Sequence, residues 1–184
     1  MKLIQAQNLA ERIIETMQPF CQRVAIGGSI RRQKPEVKDI EIVAIPKFGD
    51  PKDLFGDERR NLLFDWAHQI EAEDKIHWIK PGTDDVIRWH VNEDGKYWRG
   101  WLVKAEIKLD LFLTTPDTWG ITYLIRTGSA EFNARVFGKE AQRFGHSFRD
   151  GKLFDKFNRE LKCPEEIDVF NHLGILWKEP QDRQ

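Results

Sequence analysis

At 184 residues, with 40% hydrophobic and 11% aromatic side chains, the chain is long enough to bury a core in one or two compact lobes. No run of about 18 apolar residues offers a membrane span, and the N-terminus lacks the apolar stretch and cleavage site of an export signal. Cys21 and Cys163 stand far apart without zinc-ligand spacing, so the expectation is no disulfide framework, no structural zinc, and a cytoplasmic or other reducing compartment. The net charge of -1 is not that of a general nucleic-acid binder. From Thr118 to Cys163, however, lysines and arginines outnumber acids. That local excess suits either a solvated surface or a polyanionic substrate.

In chain order, Ala6, Leu9, Ala10, Ile13, Ile14 and Met17 predict an amphipathic helix that Pro19 stops. Val24 to Ile26 predict a short strand running into Gly28, Ser29, Ile30, Arg31 and Arg32. A glycine beside a hydroxyl lets backbone amides and a side-chain oxygen close on phosphate, and two arginines add charge there. Ile40, Ile42, Val43 and Ile45 predict a strand over residues 39 to 45, and alternation then puts Asp39 and Glu41 on one face. Two acids so placed repel one another unless a cation sits between them. A loop rich in Gly, Pro and Asp follows.

Leu62, Leu63, Trp66, Ala67 and Ile70 predict a second amphipathic helix, and His77 to Lys80 an extended segment reaching Pro81 and Gly82. Residues 86 to 113 predict three antiparallel strands: Val86 to Val91, Tyr97 to Lys104 and Glu106 to Leu113, with a hairpin turn at Asp94–Gly95. Arg88, Trp89 and His90 would then face Tyr97, Trp98, Arg99 and Trp101, either packing across the strands or offering stacking surfaces for bases. In the last strand Leu109, Leu111 and Leu113 share one face, and Asp110 points the other way. It is either a solvent-facing acid or a third ligand beside Asp39 and Glu41.

Pro116 to Trp119 marks a change of composition and the expected boundary between lobes, 1–116 and 117–184. A helix is predicted from near Ser129, with Ala134, Phe137 and Ala141 at helical spacing and Phe144–Gly145 at its end. The last helix is predicted from Pro164, with Glu165 and Glu166 favouring its N-terminus and Ile167, Phe170 and Leu173 as its apolar stripe before Gly174.

The Gly28 to Arg32 loop, Asp39 with Glu41, and Asp110 in its apolar strand resemble the nucleotidyltransferase signature of family X DNA polymerases, the DNA polymerase beta group. Thr127-Gly128-Ser129-Ala130-Glu131-Phe132-Asn133 resembles that family's segment at the nucleotide pocket, and Glu165 through Arg183 resembles its C-terminus. The resemblance spans nearly the whole chain. It implies an α+β fold: a palm at 1–116, with a mixed or antiparallel sheet and helices on one face, followed by a small α/β thumb at 117–184. It further implies templated addition of deoxynucleotides to a primer 3′-hydroxyl, in short-gap filling during DNA repair. Template-independent or ribonucleotide addition, and a non-catalytic nucleic-acid-binding module of the same fold, stand as the alternatives.

By the same resemblance, Asp39, Glu41 and Asp110 are catalytic and hold two magnesium ions, or manganese in their place. Gly28, Ser29, Arg32, Thr127, Gly128, Ser129 and Asn133 bind the nucleotide, and Arg31, Arg126, Arg135, Lys139 and Arg143 contact DNA. The partners implied are a primer-template or gapped duplex and nucleoside triphosphates, without a membrane, with the chain a monomer. The family carries a cis bond at the position matching Gly128–Ser129. Three departures stand out: Glu41 in place of an aspartate, Ile125 with Arg126 in place of a sugar-discriminating aromatic pair, and only about one helix ahead of the glycine loop. The last leaves no room for a lyase lobe, so no lyase activity is expected.

Overall fold

A computed structural model describes residues 1–49, 60–80, 82 and 88–184 and gives an α+β fold. β1 (Cys21–Ile26), β2 (Asp39–Pro46), β3 (Ile76–Ile79), β4 (Tyr97–Leu102) and β5 (Ile107–Leu113) form one mixed sheet in the order β1-β2-β5-β4-β3. β2 and β5 run parallel at its centre, and the other pairs are antiparallel. Parallel neighbours need a crossover, and the chain between them makes α3 (Leu62–Ala72), β3 and β4.

Alternation divides the sheet into two faces. Ile40, Ile42, Leu109, Leu111, Trp78 and Trp98 lie on one, buried beneath α1 (Leu3–Met17) and α3. α1 contributes Ala6, Ala10 and Met17 at full burial, with Leu9, Ile13 and Ile14 partly covered. The polar atoms of the buried indoles are satisfied: Trp66 Nε1 donates to Thr16 Oγ1 at 3.1 Å and Trp78 Nε1 to the Ala67 carbonyl at 3.2 Å. The other face carries Asp39, Glu41, Arg99 and Asp110 at its centre. Farther along the strands it turns apolar, where Val43, Ile45 and Phe112 pack on Trp119 and Tyr123.

Those two aromatics belong to α4 (Trp119–Thr127), which joins the first sheet to a second core. That core gathers Ile121, Leu124, Phe132, Val136, Leu153 and Phe170. Around it lie α5 (Ala130–Asn133), a wider π-helical stretch (Ala134–Glu140), α6 (Ala141–Arg143), α7 (Glu166–His172) and a three-stranded antiparallel sheet. That sheet consists of β6 (Ser147–Arg149), β7 (Lys152–Phe154) and β8 (Glu160–Leu161).

Three expectations are corrected. The strand from Val86 lies partly outside the described residues, and its described part forms only a bridge from Arg88 to Ile79. Both edges of β4 are already taken, by β5 and β3, so Trp89 and His90 cannot face it across a hairpin. The turn itself is present, with Gly95 N donating to the Asn92 carbonyl at 2.9 Å, but it leads into β4 without pairing what precedes it. Ile167 faces solvent at 43% exposure; α7 buries Glu166, Val169 and Phe170 instead. No cis peptide bond occurs among the described residues, so Gly128–Ser129 is trans. Asn133 Nδ2 donates to the Gly128 carbonyl at 3.3 Å and Ser129 N donates to the Arg183 carbonyl at 2.9 Å, which holds the segment in that form.

Candidate active site

The parallel register sets Glu41 directly opposite Asp110 and Asp39 opposite Lys108, so the three acids share the polar sheet face. Asp110 is therefore not solvent-facing: it is 4% exposed. Its carboxylate is held from β4, where Arg99 Nε donates to Oδ1 at 2.6 Å, Arg99 Nη2 to Oδ2 at 2.8 Å and the Tyr97 hydroxyl to Oδ1 at 2.8 Å. The sequence pattern sets Tyr97 and Arg99 against residues 88–90 and does not connect them with Asp110. The antiparallel pairing that places Arg99 opposite Asp110 would have flagged it, had β4 been matched to β5 residue by residue.

The acids make one another costly to ionise. Burial, then the neighbouring Asp39 and Asp110 charges, push the Glu41 carboxyl up to about 7, and burial with Asp110 raises that of Asp39. Arg126 lies stacked on the Phe112 ring at 3.8 Å, where its charge partly offsets that of Glu41. Among the described residues no three His, Cys, Asp or Glu side chains stand together as a ready metal cage. The donor chemistry suits a hard divalent cation at Asp39 and Glu41, whereas Asp110, turned to Arg99, fits one only after that pair opens.

The glycine loop abuts this face. Gly27 N donates to the Glu41 carbonyl at 2.8 Å, and Gly28 opens the short helix α2 (Gly28–Arg31) at φ +60. A Cβ on Gly28 would stand 1.9 Å from Glu41 Oε2, so only a glycine lets the loop press on the carboxylate. Ser29 Oγ and Arg32 Nε are buried without a hydrogen-bond partner among the described residues, two unspent polar atoms in the loop. Arg32 also donates through Nη1 to the Thr127 carbonyl, tying the loop to the end of α4.

The segment from Thr127 to Asn133 is tied to the glycine loop at Thr127 and to the tail at Ser129. Ser129 caps α5 by accepting from Phe132 N at 3.1 Å, and Asn133 Nδ2 donates to the Ile125 carbonyl at 2.8 Å, leaving Oδ1 buried and without a partner among the described residues. Arg31 does not face outward. It donates to Thr127 Oγ1 at 2.7 Å, grips Glu166 at 2.7 and 2.6 Å, and lies 3.7 Å over the Tyr123 ring. Arg183 Nη1 donates to Glu166 Oε1 at 2.5 Å, sharing that oxygen with Arg31. Glu166 thus couples loop, α7 and tail, where the sequence suggested only a favourable charge at a helix start. Arg135, Lys139 and Arg143 are exposed, and Arg143 lies 3.8 Å from Glu140.

No helix among the described residues is long and apolar enough to cross a membrane. No curated protein matches the chain. Residues 122–184 match the family model of the DNA polymerase beta thumb, a match that relates this part of the chain to family X polymerases and to DNA binding.

Proposed function

We propose that the chain is a DNA-directed nucleotidyltransferase of the family X kind, with residues 1–116 as palm and 117–184 as thumb, adding deoxynucleotides to a primer 3′-hydroxyl in short-gap repair. The observation that carries this reading is Gly28 pressed on Glu41, itself in register with Asp110: a phosphate loop abutting a carboxylate cluster. Ser29 and Arg32 take the triphosphate oxygens, supported by their unpartnered buried atoms. Asn133, with Oδ1 unspent, accepts from the base edge, and Thr127, Gly128 and Ser129 form the wall that positions it. Asp39 and Glu41 are the ligands for magnesium or manganese, joined by Asp110 when Arg99 lets go. Such an ion supplies charge at the attacking and leaving oxygens and lowers the pKa of the hydroxyl.

Arg126, Arg135, Lys139 and Arg143 contact the DNA backbone, whereas Arg31 serves the protein's own framework. A second reading, a DNA-binding module without catalysis, has the closed Arg99–Asp110 pair in its favour. Primer extension on a gapped duplex with Mg²⁺ separates the two. Native protein should extend the primer, and Asp110→Asn should lose more than about a hundredfold in rate while binding DNA as before. Native protein that binds the duplex and never extends it is a binding module. Single-stranded ends and ribonucleotides, run in parallel, test template and sugar dependence, the latter because Arg126 lies over Phe112 near Glu41.

A further inference from the structure

The tip of the second lobe's small sheet carries a surface that neither the acid cluster nor the glycine loop uses. Between β7 and β8, Asp155 to Arg159 form a tight turn whose apex, Phe157, is 67% exposed. Exposure of one phenylalanine is unremarkable by itself. This one is held out by construction: Asp155 Oδ1 accepts from Phe157 N and from Arg159 N, each at 2.9 Å, and Oδ2 accepts from Arg159 Nε at 2.8 Å. Asn158, at φ +62, donates its N–H to the Asp155 carbonyl at 2.9 Å, and its side chain takes a hydrogen bond from Arg149. The turn is organised before any partner arrives.

Both cations of the turn attend the ring, Lys156 Nζ at 5.1 Å and the Arg159 guanidinium at 5.2 Å from its centre. Lys156 enters no ion pair among the described residues. A Cβ on Gly145 would lie 3.3 Å from the Lys156 Cβ, which brings the end of α6 against this turn. There Phe144, 40% exposed, lies under Arg143 at 5.6 Å. Two exposed aromatics, Phe144 and Phe157, thus lie on neighbouring segments that also carry Arg143, Lys156 and Arg159, on a chain whose net charge is -1.

We infer that this tip is a binding site for unpaired DNA, with Phe157 stacking on an exposed base and Lys156 and Arg143 pairing with flanking phosphates. The aromatic ring offers a face any base can use, and the cations attract phosphates without reading sequence. The inference rests on the proposed handling of a DNA strand but not on catalysis. It gives the chain a grip on a single-stranded stretch separate from the carboxylate cluster.

The test uses the full chain and a fluorescein-labelled single-stranded oligothymidine, with binding read by anisotropy over a range of salt. Phe157→Ala and Phe157→Leu should each weaken binding about five- to hundredfold, and Phe157→Trp should keep native affinity. Lys156→Gln should lower the slope of log affinity against log salt by about 0.7. Phe157→Leu keeps an apolar side chain in the turn, so a loss shared by Leu and Ala but not Trp reports stacking rather than misfolding. Native protein that does not bind the oligonucleotide, or Leu and Ala variants within twofold of native, overturns the site. Primer extension measured on the same samples keeps the two readings apart: extension by native protein with equal binding by all variants sinks only the tip site, and stacking loss without any extension sinks only the polymerase.

Discussion

At the scale of single residues, Glu41 is where folding works against ionisation. Its carboxyl, raised to about 7 from an ordinary 4.5, favours the protonated form in the folded chain. The stability this contributes is fully present below about pH 4.5 and is lost as pH rises through about 7. Metal-free protein should therefore be less stable to urea at pH 8 than at pH 5.5, by at most ~2 kcal/mol from this group, and Glu41→Gln should flatten that part of the slope. Asp39, shifted the same way, adds to the trend. Magnesium should restore more stability at pH 8 than at pH 5.5, because only the ionised carboxylates ligate it. Equal slopes in native and Glu41→Gln protein would mean that the carboxyl is better solvated than its burial implies.

At the scale of elements, the glycine loop and β2 form one unit, since α2 begins where Glu41 leaves space for it. Gly28→Ala should cost on the order of 2–4 kcal/mol, combining a φ that disfavours a side chain with a clash against a packed carboxylate, and is checked by thermal melting. A melt within 1 kcal/mol of native would show that the carboxylate swings away freely. This unit was legible in the sequence, because Gly28, Asp39 and Glu41 act through local conformation and strand alternation. The strand at Tyr97 was legible as a strand, with β5 as its antiparallel neighbour, yet its second partner was not. Nothing in local periodicity says that β3 rather than residues 88–91 takes the free edge of β4, as that is decided by which pairing buries Trp78 and Trp98. α4 went unseen because the chain was divided at Pro116 to Trp119, although Trp119, Tyr123 and Thr127 carry a helical repeat. The partners of Glu166 were invisible for a similar reason, because ion pairs between distant segments leave no mark on spacing.

At the scale of the whole molecule, the Arg31–Glu166–Arg183 set ties the glycine loop, α7 and the tail. Glu166 is 6% exposed and Arg183 wholly buried, so removing the shared carboxylate leaves two guanidinium groups close together without the acid that both pair with, and with only the weaker influence of Glu179 on Arg183. Glu166→Ala should destabilise the fold by about 3–5 kcal/mol, a drop in melting temperature of roughly 10 °C, with Glu166→Gln recovering part of it. A variant that melts with the native protein would show that water or another acid replaces Glu166. The central parallel pair has a kinetic meaning as well. Glu41 and Asp110 are distant in sequence and meet only when β2 and β5 align, a step that must close a long loop before its contacts form. That closure also brings like charges together, so the acid cluster comes into being with the fold's most demanding contact, and an incompletely folded chain has no partial version of it.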